Sequence, residues 1–255
     1  MRNEIKIPIN KNFDLYFQNW KDFRNKITRP YKDRIIHSVY YDTENFNSAK
    51  DNLSGISKRR KYRIRWYDND NNVFNYEIKI KNNNLGSKFF LKSNNEKQKL
   101  DNLFSYKNKF LTKDKNKFFL NEINSLELKP KLKVSYLRSY YLYNRRIRIT
   151  YDQKINYSLL NRFNLNEFKK KDFMNVIEIK FEPENYYLAS SLIKDSKFVP
   201  KRFSKYLRGL HLSGVANYIW RLNMSLLGYQ KIGYLKFEKR KKLNNHDYED
   251  DYDYM

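Results

Sequence analysis

Lys61-Tyr62-Arg63-Ile64-Arg65-Trp66 is the stretch on which the fold turns. Cations stand at 61, 63 and 65, and bulky apolar or aromatic side chains at 62, 64 and 66. A period of two puts these sets on opposite faces of a strand. Three other stretches repeat the pattern. Asn75, Glu77, Lys79 and Lys81 oppose Tyr76, Ile78 and Ile80; Arg146, Arg148 and Asp152 oppose Ile147, Ile149 and Tyr151; Glu178 and Lys180 oppose Ile177, Ile179 and Phe181. A polar strand face ordinarily meets water. These faces are mostly Arg and Lys with isolated Glu, whereas a solvated surface mixes signs more evenly. If the sheet closes, the basic faces line a lumen and the apolar faces meet surrounding helices. A basic lumen suits a chain of phosphates, which Arg grips through its planar fork and Lys as a point charge.

Outward from this stretch, the pattern predicts further strands over 2–9, 35–41, 73–81, 131–141, 145–152 and 175–182. Helices are expected over 13–27, 94–110, 200–210 and 216–227, with another opening at Pro183, a residue suited to a first helical turn. No Pro/Gly/Ser-rich linker divides the chain, so one domain is expected. Its tail splits into a basic 236–242 and an acidic, Tyr-rich 246–255, read as mobile.

Composition bounds the function. The chain has 255 residues, with 40% hydrophobic and 17% aromatic, enough for a packed core despite a mean hydropathy of −0.94. Lys and Arg number 53 against 28 Asp and Glu, a formal charge of +25 that attracts phosphates, nucleic acids or anionic lipid. With no cysteine, disulfides, thiolate catalysis and Cys-based zinc sites are excluded. His37, His211 and His246 show no metal-ligand spacing. The longest apolar stretch, near Ile219 to Tyr234, contains Arg221 and is too broken to span a bilayer. No signal peptide is visible, and a soluble protein is expected.

A set of short motifs occurs in order: Arg2-x-Glu4-x-Lys6, Ser38-Val39-Tyr40-Tyr41-Asp42-Thr43, Arg63-x-Arg65-Trp66-Tyr67, Glu77-x-Lys79, Tyr136-x-Arg138, Arg146-Ile147-Arg148-Ile149-Thr150-Tyr151-Asp152, Glu178-x-Lys180 and Ser204-Lys205-Tyr206. Through this ordered set the chain resembles the catalytic domain of the vacuolar transporter chaperone (VTC) family, the polyphosphate polymerases, within the wider triphosphate tunnel group. The resemblance implies an α+β fold: a closed antiparallel β-barrel with helices packed outside. Residues 1–210 would form the catalytic domain, and 211–255 a C-terminal helix and charged tail. By motif position, Lys6, Arg63, Arg65, Lys79, Arg138, Arg148 and Lys205 would be the catalytic phosphate ligands. Lys88, Tyr136, Lys180 and Ser204 would bind substrate, and Glu178 would hold Mn²⁺ or Mg²⁺, ions suited to carboxylate ligands.

The implied reaction is transfer of the ATP γ-phosphoryl group to a growing polyphosphate chain. Such a transfer needs positioning and charge neutralisation more than covalent chemistry, and an ionised acceptor phosphate needs no strong general base. Two rivals stand beside it. One is hydrolysis of tripolyphosphate or a nucleoside triphosphate on the same fold. Triphosphatase relatives begin Glu-x-Glu-x-Lys, and Arg2 replaces the first of these glutamates here. The other is a non-catalytic nucleic-acid-binding protein, though no recognised motif supports it and no specific nucleic acid is expected. ATP and polyphosphate are the expected partners. The chain starts directly at the first tunnel strand, so neither an N-terminal regulatory domain nor membrane helices are expected. The expected location is cytoplasmic or peripheral at the inner face of a membrane, with a separate membrane protein providing any path across it.

Overall fold

Strand alternation dictates most of the architecture. A computed structural model describes residues 2–22, 27–68, 74–82, 85–93, 121–122, 124–160, 168–196 and 198–215. In it ten strands form one antiparallel sheet: β1 (Asn3–Asn10), β2 (Ile27–Thr28), β3 (Arg34–Asp42), β4 (Arg59–Tyr67), β5 (Phe74–Asn82), β6 (Leu85–Ser93), β7 (Lys129–Tyr143), β8 (Ile147–Leu159), β9 (Phe168–Lys171) and β10 (Met174–Phe181). Pairing runs β1-β10-β8-β7-β3-β4-β5-β6, with β2 added to β7 and β9 to β8. Helices accompany the sheet, among them α1 (Asp14–Asp22), α2 (Asn47–Leu53), α3 (Tyr186–Ser196) and α4 (Lys205–Leu212). Among the described residues, no helix is long and apolar enough to cross a membrane.

The apolar strand faces collect into two cores on the outer side of the curled sheet. Ile7, Ile149, Tyr151, Ile177, Ile179 and Phe181 meet Phe17 and Trp20 of α1 and Ala189 and Leu192 of α3. Val39, Tyr62, Ile64, Trp66, Tyr76 and Ile78 pack with Leu128 and Leu160. Burying such side chains contributes about 1.5–3 kcal/mol each, which fixes the register that sends the charged set inward.

A third core lies on the inner, charged side, toward one end. Ile36, Leu132, Val134, Tyr136, Tyr157 and Val176 meet Tyr206 and Leu210 of α4. Helix α4 thus seats inside the curl. It can do so because residue 209 is glycine: a Cβ there would stand 2.5 Å from a Leu132 methyl and 2.6 Å from the Tyr157 ring. Ser204 caps the helix, accepting from the Leu207 N–H, and the Tyr206 hydroxyl donates to buried Asp42 at 2.8 Å.

An extra residue in β8 lets that strand serve both faces. Ser135 pairs with Asn156 but Leu137 with Gln153, and Lys154 takes a left-handed backbone at φ +50. This bulge reverses the alternation. Tyr151 before it faces the outer core, and Ile155 and Tyr157 after it face the inner one.

Several expectations need correction. Closure of the sheet into a barrel is not seen among the described residues, where the sheet is curled and its pairing path ends at β1 and β6. Curling brings Lys79 of β5, one strand in from the β6 end, to 3.3 Å from Glu4 of β1, and no described backbone pairing joins the two sides. The helix expected over 13–27 is shorter, because Ile27 and Thr28 already pair with Tyr143 and Leu142. The helix expected over 200–210 begins only at Lys205, after the Ser204 cap. The expected helices over 94–110 and 216–227, and the tail, lie outside the described residues.

Candidate functional site

The inner face is a lattice of alternating charges, set by strand register. Across β1 and β10, Glu4 stands opposite Lys180 and Lys6 opposite Glu178. Across β4 and β5, Arg63 faces Glu77 and Lys61 faces Lys79, while β6 adds Lys88 beside Lys79. Across β7 and β8, Arg138 faces Asp152.

Four carboxylates organise the cations. Glu77, 2% exposed, accepts from Arg63 Nε at 2.5 Å and from Lys88 Nζ at 2.6 Å, with an Arg65 guanidinium nitrogen 4.0 Å away. Asp152, fully buried, accepts two bonds from Arg138 at 2.5 and 2.7 Å and one from Lys205 at 2.5 Å. Glu178 pairs with Lys180 at 2.5 Å and lies 3.7 Å from Arg138. Glu4 touches Lys6 at 3.0 Å, Lys79 at 3.3 Å and Lys180 at 3.8 Å.

These contacts keep every carboxylate ionised. Burial alone would raise the Glu77 pKa, but Arg63, Arg65 and Lys88 bring it down to about 2. Burial and the nearby Glu178 oppose ionisation of Glu4, yet Lys6, Lys79 and Lys180 hold it at about 2. Against burial, Asp152 is held below its ordinary value by Arg138 and Lys205, and Glu178 well below by Lys180, Arg138, Lys6 and Lys205. Burial weakens the charge of Lys6, but Glu178 and Glu4 more than restore it. The Tyr40 hydroxyl is pulled down, despite burial, by Arg63, which donates to it at 3.2 Å, and by Arg65.

The residues singled out from sequence therefore fall mostly into one groove. Lys6, Arg63, Arg65, Lys79, Lys88, Arg138, Glu178, Lys180 and Lys205 all take part in its ion pairs. Tyr136 lies beneath it: the ring carries Lys205 Nζ at 4.6 Å and the Arg138 guanidinium at 5.3 Å, and the hydroxyl accepts from Arg65 at 3.3 Å. Ser204 accepts from Lys61 Nζ at 3.1 Å. Arg148 shares the face as the register neighbour of Lys180, but it is exposed at the edge of the cluster. Glu4, Tyr40, Lys61, Glu77 and Asp152 also belong to the groove, although none of them was among the site residues expected from the resemblance. Their signal was parity: each sits an even number of places from a chosen cation or acid on its strand, apart from Tyr40, whose strand carries no such marker.

A divalent cation would not find a cage of protein ligands. Among the described residues no three His, Asp or Glu side chains are grouped to hold one. What the groove offers is single ionised carboxylates such as Glu178 beside many Lys and Arg side chains. That donor set fits Mg²⁺ or Mn²⁺ arriving with phosphate oxygens, the usual habit of Mg²⁺.

A family model described as the VTC domain matches residues 2–213. No curated protein matches. Among solved structures the chain is similar to a putative adenylyl cyclase from Hippeastrum, described as having a dominant triphosphatase activity, at 15% identity and TM-score 0.52, covering 84% of this chain and 96% of that one. It is also similar to a protein from Pyrococcus horikoshii at 15% identity and TM-score 0.47, over 83% of this chain and 98% of that one. The likeness to the Hippeastrum protein shows a shared fold. The family match covers most of the chain and includes every strand of the groove: the chain belongs to the VTC domain family.

Proposed function

We propose that this chain is an ATP-dependent polyphosphate polymerase that works inside the basic groove. One observation carries the reading. Among the described residues eight cations (Lys6, Arg63, Arg65, Lys79, Lys88, Arg138, Lys180 and Lys205) converge on one inner face with four carboxylates between them. The excess positive charge is set in fixed geometry for a string of anions. In the reaction, the bond from the γ-phosphorus to its bridging oxygen breaks, a terminal oxygen of the polymer takes its place, and ADP leaves. Arg63, Arg65 and Arg138 hold equatorial oxygens and offset the repulsion between two anions brought into contact. Lys6, Lys79 and Lys205 spread further charge along the chain, and the Tyr136 ring bounds the groove. Glu178 would hold a Mg²⁺ or Mn²⁺ ion, which polarises the transferring group when bound. Membership of the VTC domain family supports the substrate class.

Triphosphate hydrolysis is the competing reaction, and the activity described for the Hippeastrum protein keeps it in view. Hydrolysis needs a carboxylate to orient water. Here Glu4 is occupied by three lysines, and Arg2 is tied to Glu182 at 2.5 Å. Incubation with ATP and Mn²⁺ or Mg²⁺, resolved on a gel, separates the readings: a polyphosphate ladder is expected, whereas free phosphate alone selects the hydrolase. Arg63→Ala and Glu178→Ala should each lower the synthesis rate by about 10²–10³-fold. If both variants made polymer at the full rate, the assignment would be wrong.

A further inference from the structure

Lys61 is an inner cation without an acidic partner among the described residues. Among the described residues Lys61 makes no ion pair, and its ammonium donates only to the neutral Ser204 hydroxyl, at 3.1 Å. Its surroundings are positive: Lys6 from β1, Lys79 opposite it on β5, and Arg59 and Arg63 on its own strand. On the remaining side stand Ser204 and the start of α4, whose aligned peptide dipoles point their positive end the same way. Burial, reinforced by these four cations, brings the Lys61 pKa down to about 7. A half-buried cation without a counter-ion is costly for the empty protein and becomes favourable once an anion arrives.

We propose that Lys61 and Ser204 form an additional phosphate subsite, which takes one phosphate group of a polyphosphate or nucleoside triphosphate chain at the α4 end of the groove. This rests on the reading of the groove as a phosphate tunnel and assigns a specific position within it. Lys61 Nζ and the Ser204 hydroxyl both donate to the arriving phosphate oxygens, and Lys79 and Lys6 flank them. The arriving charge favours the ammonium form, so a neutral Lys61 amine takes one proton from the solvent as the phosphate binds.

Calorimetric titration of tripolyphosphate with a chelator present, at pH 8 in two buffers of different ionisation enthalpy, tests this. Wild type should take up more protons per bound ligand than either K61R or K61M. K61M should bind about tenfold more weakly, the loss of one charge-assisted hydrogen bond. K61R should keep near-wild-type affinity without the extra proton. The ligand-free K61M chain should melt no lower than wild type, since the substitution breaks no ion pair. Wild-type affinity and proton uptake in K61M would overturn the subsite, as would a lower melting temperature with unchanged binding. If wild type itself binds no tripolyphosphate, the tunnel reading falls with it.

Discussion

Asp152 illustrates what the residue scale adds. It is fully buried and holds Arg138 through two bonds and Lys205 through a third. Its contribution is orientation, since both cations would otherwise sample several rotamers. Asp152→Asn leaves two cations facing a neutral amide. Removing one partner of a buried pair costs about 3–5 kcal/mol, so a fall in melting temperature of roughly 6–20 °C is expected by calorimetry, together with weaker tripolyphosphate binding. At this scale the cations were legible in the sequence, while the joint grip of one carboxylate on several of them was not. Arg63, Arg65, Lys79 and Glu178 announce themselves by parity on a strand. That Glu77 pairs with Lys88 as well as Arg63 depends on register across three strands, which no local pattern encodes.

Among the elements, α4 carries the most consequence. It fills one end of the curl, supplies Lys205, and caps itself with Ser204. Gly209→Ala forces a methyl into Leu132 and Tyr157, and overpacking of this kind costs about 1–3 kcal/mol. The expected outcome is a lower melting temperature and, because Ser204 and Lys205 ride on the same helix, weaker phosphate binding in the same titration. The longer strands were readable from alternation, and β4, β5 and β10 match their expected spans within a residue or two. Elements that break the rules were not. Strand β6 has adjacent Phe89, Phe90 and Leu91 instead of alternation, and helix α2 starts at a left-handed Phe46 with no side-chain cap. The extent of β8 was hidden by the bulge at Lys154, after which its odd residues change sides.

For the whole molecule, the balance of charge ties stability to pH. Glu4 and Glu77 hold pKa values of about 2, below an ordinary 4.5. The unfolded chain therefore binds these protons first, and the stabilisation is full above about pH 4.5 and lost as pH falls toward 2. A melting temperature measured from pH 6 to pH 2 should hold until about 4.5 and then drop, and Glu77→Gln should flatten the lower part of that curve. Closure of the sheet was the expectation least available to sequence, because it depends on how far twist and bulges coil eight paired strands. The coil stops with side chains touching: Lys79 of β5 reaches Glu4 of β1, and no described backbone bond joins the two sides. A fastening of that kind behaves like a clasp rather than a weld. Under the proposed function, a polyanion held in the groove would compete with Glu4 for Lys79, so cargo and clasp would contend for the same hand.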